Sequence, residues 1–503
     1  MTDATAAIQA PHPTRTLIAM TGSLSMIFLD ATVVGVALPT IQADLGLTMT
    51  SSAWVINGFL IALASSLAIG GRVADRFGRL RVFRIAIVLF AAASVMCGLA
   101  NSTLWIIAAR VIQGIGAGLM QPASTAIVIA SSPPDRRGVS MAMYFGIAVL
   151  FLMAGPIIGG VIISMADWPW IFLLNLPVAI IAFLLTISLE LPNHKSLGRG
   201  VDVLGIVLLL LGLPLLILGL EWIAHPPGGL DWLPLVTSLV GLCSTVLCIV
   251  HCTRSANPIL NVALLAPRPM LGQALVLSIG SLIMAAQAVY GAIFLQEVLG
   301  FTPLQAGVGA LPLLLPVLLV IRFAGKWYDT HGATLPMTLG MATTALGLAV
   351  ETTGIMLHSY VVLAVGMVLV GAGSTVATTP ANTDVLARAP QDQRGETSGM
   401  VQTMRQFGAS LGIVACVLSI SLVLQTTVIK LRSDHKSNST AMLAIEGNIE
   451  AIVDLDASDP QLAKQIRQAR SDGLAMAFVL QGCFALAGVV LSLTLARPDP
   501  DDQ

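Results

Sequence analysis

Gly71-Arg72-Val73-Ala74-Asp75-Arg76-Phe77-Gly78-Arg79 lies between two long apolar runs, and its skeleton returns 254 residues later as Gly325, Asp329 and Gly332. Two more echoes follow at an offset of 257: Arg137-Gly138 with Arg394-Gly395, and Gly114-x-Gly116 with Gly371-x-Gly373. Matches at nearly one offset mark an internal duplication, with residues 17–189 and 271–496 as two parallel six-helix halves. The stretch between them is an insert.

Outward from this motif, apolar runs lie near 17–38, 53–71, 83–100, 104–130, 139–165, 170–189, 203–222, 232–252, 271–296, 304–324, 334–357, 360–384, 396–428 and 474–496. A spanning helix needs ~20 apolar residues, and 503 residues that are 56% hydrophobic supply about fourteen such spans. With only 10% charged residues the chain cannot cover a water-facing surface. Barrel strands alternate over ~10 residues, whereas these runs are continuous and longer. The expected fold is therefore an all-α polytopic membrane protein with fourteen transmembrane helices. The expected division is 1–190, a linker with two inserted central helices at 191–268, and 269–503 with an outer loop at 429–473. Parallel repeats of this kind point to secondary transport, with the substrate site where the halves meet.

A net charge of −1 removes any basic signal for nucleic acid, so the lipid bilayer is the partner to read for. With both termini placed in the cytoplasm, the inner connections carry Arg72, Arg76, Arg79, Arg81, Arg84, Arg136, Arg137, Lys195, Arg199, Arg254, Arg268, Arg388 and Arg394. The six short outer connections carry no Lys or Arg, as the positive-inside rule requires. Trp54, Trp105, Trp168, Trp170, Trp222 and Trp232 fall near outer ends, the place of an aromatic belt. The first run lacks a cleavage site and reads as a permanent anchor. The six cysteines lack metal or redox spacing and read as packing residues. The 429–473 segment reads as a polar outer cap, with a short helix over 460–471 starting at Ser458-Asp459-Pro460.

An ionised residue deep in a span costs about 2.5–3.5 kcal/mol on insertion scales and needs a partner. Asp30 lies thirteen residues into the outward-running first helix, roughly 20 Å from the inner face. Arg110, six residues into the inward-running fourth helix, lies roughly 21 Å from that face, so the two match in depth. Asn57 and Gln113 complete a polar layer with them. A carboxyl group out of water is pushed towards its proton, and a guanidinium pulls it back, so the pair is either a proton-coupling device or a static packing contact. Arg405, with Gln402 and Gln406, falls near the midplane of the second half, open to structural, substrate-binding or coupling roles. Glu221 and Glu297 sit at outer ends, where snorkelling is cheap. Glu351, about six residues from an outer end, is either interfacial or a second protonation site. In the repeated loop, Gly71 and Gly78 allow close approach, and Asp75 can face the positive end of a neighbouring helix.

The loop at 71–79 resembles the loop motif of the major facilitator superfamily. Three further stretches are similar to its fourteen-helix drug:proton antiporter family: Leu29-Asp30-Ala31-Thr32-Val33-Val34-Gly35-Val36-Ala37-Leu38-Pro39, Arg110-x2-Gln113-Gly114-x-Gly116, and Gly155-Pro156-x2-Gly159-Gly160. The departures are Gly35 in place of Asn, Ala142 and Phe151 in place of glycines, and Pro169 in place of Arg. The resemblance implies proton-coupled efflux of hydrophobic or cationic small molecules by alternating access. It also implies no cofactor beyond the proton gradient, a working monomer, and a bacterial cytoplasmic membrane. Asp30 and Arg110 would couple the proton. Asn57, Gln113, Gln402, Arg405 and Gln406 would line the cavity. Gly71, Asp75, Arg76, Gly78 and Arg79 would form a conformational latch, and Gly155, Pro156, Gly159 and Gly160 a gating element or a packing stripe. Proton-coupled import of an organic anion is the alternative, and a membrane sensor a third. No nucleotide motif, metal cluster or nucleophile constellation suggests an enzyme.

Overall fold

Hydrocarbon offers no partner to a backbone N–H or C=O, so an apolar run within it must pair its own groups as a helix. The computed structural model describes residues 13–47, 49–187, 189, 202–224, 232–255, 258, 261–291, 294–301, 303–434 and 460–495. Each of the fourteen apolar runs falls on helix, and no strand occurs among the described residues.

The helices of the first half are α1 (Pro13–Leu45), α2 (Met49–Phe77), α3 (Arg79–Gly98), α4 (Thr103–Ser131), α5 (Arg137–Met165) and α6 (Pro169–Ile187). The insert supplies α7 (Val203–Ala224) and α8 (Leu233–Arg254). The second half contains α9 (Arg268–Ala286), α10 (Leu311–His331), α11 (Thr334–Met356), α12 (Tyr360–Arg388), α13 (Arg394–Asp434) and α14 (Pro460–Thr494). Among the described residues eleven helices are long and apolar enough to cross a membrane, or twelve with the bent α5 counted as one span, which is compatible with the expected fourteen. Beyond Ala286, α9 widens into π-helical turns over Gln287–Gly291 and Phe294–Val298.

The duplication read from the sequence is a duplication of packing. In the first half α1 packs on α5, α2 on α4 and α3 on α4; in the second α9 packs on α13, α10 on α12 and α11 on α12. Pro122 lies inside α4 and Pro380 inside α12, one residue from the position that the 257 offset gives. The halves meet reciprocally, α2 against α13 and α10 against α5. The inserted pair packs on itself, and α7 leans on α2 and α13, with Ala68, Leu209, Cys248 and Cys252 in one small apolar cluster.

Two expectations change. The helix foreseen over 460–471 is not a separate cap, because α14 runs unbroken from Pro460 into the last span. Proline suits the first helical turn, and Gly473, which precedes the apolar run, stays helical where it packs closely on Ile420. Trp105, Trp170 and Trp232 are exposed as a belt requires, but Trp168 is 4% exposed and its indole N–H donates to Asp44 at 2.8 Å. Trp168 also meets the Phe172 ring edge-on, so it pins α6 to the C-terminal end of α1. Finally, Glu351, left open by the sequence, is fully buried inside the protein. The outer-loop residues 435–459, together with Lys195, Arg199 and Arg497, lie outside the described residues, as do the side chains of Glu221 and Glu297. Cys97, Cys248, Cys252 and Cys416 are buried packing residues, Cys243 and Cys483 are exposed, and all six are free thiols.

Trp168→Phe keeps the ring and deletes its hydrogen bond to Asp44, so it should cost about 1 kcal/mol and lower the apparent melting temperature of the solubilised protein by a few degrees. Unchanged melting would mean that the Asp44 contact does not hold α6 in place.

Candidate functional site

The interior of the first half holds a knot of buried polar side chains. Arg110 Nη1 donates to Asp30 Oδ2 as an ion pair and to Gln113 Oε1 at 2.7 Å, and Arg110 Nε donates to the Val55 carbonyl at 2.8 Å. Asp30 Oδ1 accepts from Gln113 Nε2 at 3.1 Å and from Asn175 Nδ2 at 3.3 Å. Ser94 Oγ accepts from the same two amides at 3.2 and 3.0 Å and donates to the Phe172 carbonyl at 2.9 Å. The guanidinium lies 4.3 Å from the centroid of the Phe59 ring, a cation–π contact in a dry setting. All five side chains are buried. One carboxylate thus gathers α1, α3, α4 and α6, with α2 contributing a ring and a carbonyl.

Depth counting brought Asp30, Arg110 and Gln113 together correctly. Asn57 is half-buried on α2, two residues beyond Val55, while the amide seated on the carboxylate is Asn175 of α6. The sequence reading missed Ser94 and Asn175, although both are polar residues inside apolar runs and the rule that singled out Asp30 reaches them.

Beside the knot, Thr32 Oγ1 donates to the Leu152 carbonyl of α5 at 3.1 Å, and a Cβ at Gly155 would fall on that hydroxyl. Gly159 packs on Val33, whereas Gly160 faces open space, so Gly155 and Gly159 are the contact stripe. Around Pro156, α5 bends by 43° between Pro134–Leu152 and Ile157–Met165. Arg405 of α13 is half-buried where the halves face each other. Its Nε donates to Ser281 Oγ at 3.2 Å, its Nη1 to Gln402 Oε1 at 3.1 Å, and its guanidinium lies 5.6 Å from the Phe145 ring of α5. Gln406 is half-buried one residue on. Among the described residues no acid pairs with Arg405.

At one end of the bundle the repeated loops form two clasps. Asp75 Oδ1 accepts from the Gly395 N–H at 3.1 Å and Oδ2 from the Glu396 N–H at 2.7 Å, at the start of α13. Asp329 Oδ1 accepts from the Gly138 N–H at 2.9 Å and Oδ2 from the Val139 N–H at 3.3 Å, at the start of α5. Each half lays an acid from its second helix on the positive N-terminus of the other half's fifth. Close approach requires bare backbone: a Cβ on Gly71 would strike the Gly395 carbonyl, and one on Gly138 the Gly325 carbonyl.

The clasps are unequal. Arg79 donates to Asp75 at 2.8 Å and also to the Gln391 carbonyl, and Arg72 pairs with Glu396 at 3.5 Å. Ala333 occupies the matching place of Arg79 in the second clasp. Gly78 turns the chain at φ 97° as Gly332 does at φ 72°. The Arg76 guanidinium stacks 5.5 Å over the Phe77 ring.

The model of the Major Facilitator Superfamily matches residues 20–413. The chain belongs to this superfamily. As a facilitator it is a membrane transporter and not an enzyme. It is 27% identical over 517 residues to the tetracenomycin C resistance and export protein of Streptomyces glaucescens, covering 98% of this chain and 93% of that one. It is 30% identical over 405 residues to a multidrug resistance protein B homolog of Mycobacterium tuberculosis, covering 80% and 74%. The crystal structure of the human organic anion transporter MFSD10 shares the fold at a TM-score of 0.63 and 16% identity, covering 96% of this chain and 100% of that one.

The inequality of the clasps gives this facilitator a testable bias. Asp75→Ala should separate spin labels placed on the ends of α2 and α13 in a smaller fraction of molecules than Asp329→Ala separates the ends of α10 and α5, because the Arg72–Glu396 and Arg79–Gln391 contacts still bridge the first clasp. Equal opening in the two variants would show that Arg79 and Arg72 add nothing.

Proposed function

We propose that this transporter is a proton-driven exporter of hydrophobic or cationic small molecules working by alternating access. The observation that carries the reading is Asp30, a carboxylate with no exposed surface that is held by Arg110 in the middle of the first half. The export and resistance roles named for the two sequence relatives support the direction of transport. Putting a proton on Asp30 removes the charge that Arg110 answers, leaving the guanidinium its Val55 and Phe59 contacts. Because α5 rests on Thr32, two residues from Asp30, a shift of α1 reaches α5, whose N-terminus the Asp329 clasp holds. Protonation at mid-depth and release at the clasp are in this way linked through one bent helix.

The basic residues gathered around both clasps, Arg72, Arg79, Arg136, Arg137, Arg388 and Arg394, favour the cytoplasm for that end, with both termini on the same side. On that assignment the conformation described is shut towards the cytoplasm. The division at residues 190 and 268 is consistent with the reciprocal packing of the halves. A monomer suffices as the working unit, since one chain supplies the knot and both clasps. A bacterial cytoplasmic membrane fits the relatives named above. The second reading, import of an organic anion, is favoured by Arg405, which stands between the halves without an acidic partner among the described residues.

In everted vesicles carrying the protein, ethidium should drive proton release, and Asp30→Asn should abolish it at normal expression. Full gradient-driven transport by Asp30→Asn would refute the coupling role. Arg110→Ala should lose dependence on the pH gradient while downhill flux survives, and Arg405→Ala should change which substrates move. If Arg405→Ala uncouples and Arg110→Ala does not, the two arginines have each other's roles.

A further inference from the structure

The offset that relates the halves places Gln287 at the position of Asp30 and Glu351 at that of Ser94. Both are buried, and Gln287 Nε2 donates to Glu351 Oε2. The second half therefore keeps an acid in its polar centre but moves it from the first helix of the repeat to the third. What it lacks is the counter-charge. Met367 stands at the place of Arg110 and Val370 at that of Gln113, and the Met367 methyl lies against Gly291, within reach of Gln287. Gly366 is the residue of α12 that faces Glu351, where a Cβ would meet its Cγ.

Two oxygens in this pair are buried without a hydrogen-bond partner, Glu351 Oε1 and Gln287 Oε1. Both are acceptors, and a carboxylate would leave both unanswered. A single proton changes this. Placed on Glu351 Oε1, it lets the acid O–H donate to Gln287 Oε1 while Gln287 Nε2 continues to donate to Glu351 Oε2, closing a two-bond acid–amide ring with no orphan and no net charge. No ion pair involves Glu351 among the described residues. Among the described side chains of the neighbouring elements, Lys464 and Asp472 of α14 are exposed, and Tyr360 donates to the Gly309 carbonyl. Asp384 pairs with Arg388 at the far end of α12, and Tyr290 lies on the Gln287 turn itself.

We propose that Glu351 and Gln287 form a second proton-binding site, in which Glu351 is held as the neutral acid in a paired acid–amide contact and exchanges its proton with water as the halves rearrange. The site deepens the exporter reading, and only its transport arm rests on that reading. The π-helical turn that carries Gln287 is the mobile component, since a widened turn can slip back to the narrower helix and withdraw the amide.

Infrared difference spectroscopy on the purified protein in lipid nanodiscs, titrated from mildly acidic to alkaline buffer without substrate, tests the site directly. The expected result is a protonated-carboxyl stretch that disappears with rising pH, is absent in Glu351→Gln, and shifts to higher frequency in Gln287→Leu, where the bond to the carbonyl oxygen is lost. In proteoliposomes Glu351→Gln, a close mimic of the neutral acid, should keep downhill substrate flux and move fewer protons per substrate than the parent. Absence of an Glu351-dependent band, or a band unchanged across the titration, would overturn the proposal. A titrating Glu351 band in a protein that moves no proton with any substrate would instead leave the site standing and overturn the exporter reading.

Discussion

A charged oxygen in hydrocarbon must be given either donors or a proton, and the centre of this molecule is organised around that necessity. Asp30 is given donors. Arg110, Gln113 and Asn175 come from two other helices to supply them, and each of those groups then needs partners of its own, which Val55, Ser94 and Phe172 provide. The network closes only with α1, α2, α3, α4 and α6 in their observed places. A single acid in this way fixes the arrangement of five of the fourteen helices, which uniform apolar packing against equally apolar lipid cannot do.

The second half solves the same problem by the opposite route. Where the repeat substitutes Met367 for Arg110, the acid loses its counter-charge and a neutral pair with Gln287 takes over. The two centres thus differ in chemistry while sharing a place in the repeat. At the clasp end the asymmetry is milder, as helix N-termini answer both Asp75 and Asp329 and only the arginines around the first clasp differ.

Counting residues from the end of a run gives depth, and depth was enough to place Asp30 level with Arg110. It gives no direction around the helix axis. Asn57 and Asn175 are both polar at useful depths, and Asn175 is seated on the carboxylate. Trp168 is level with the aromatic belt but turned inward onto Asp44, and Glu351 is near an outer end but buried against α12. Azimuth is set by which helices pack together, and a single sequence reports this only through its repeat. Aligned by that repeat, Gln287 and Asp30 fall together, which makes the second polar centre readable once the first is known. The separation of Arg76 from Arg79 comes instead from the turn at Gly78, which ends α2 between them, so that Arg79 opens α3 beside Asp75 while Arg76 stacks over Phe77.

The clasps also say something about assembly. Gly71 lies on Gly395 and Gly325 on Gly138, with each second helix holding the opposite fifth helix, so the contact reads the same from either half. An interface with this two-fold self-complementarity is isologous, the kind that joins identical subunits into a closed dimer. Two separate six-helix chains of one sequence would make both clasps at once, with no residue needed beyond those of a single chain. The clasps that hold the halves together are made without any residue of α7 or α8.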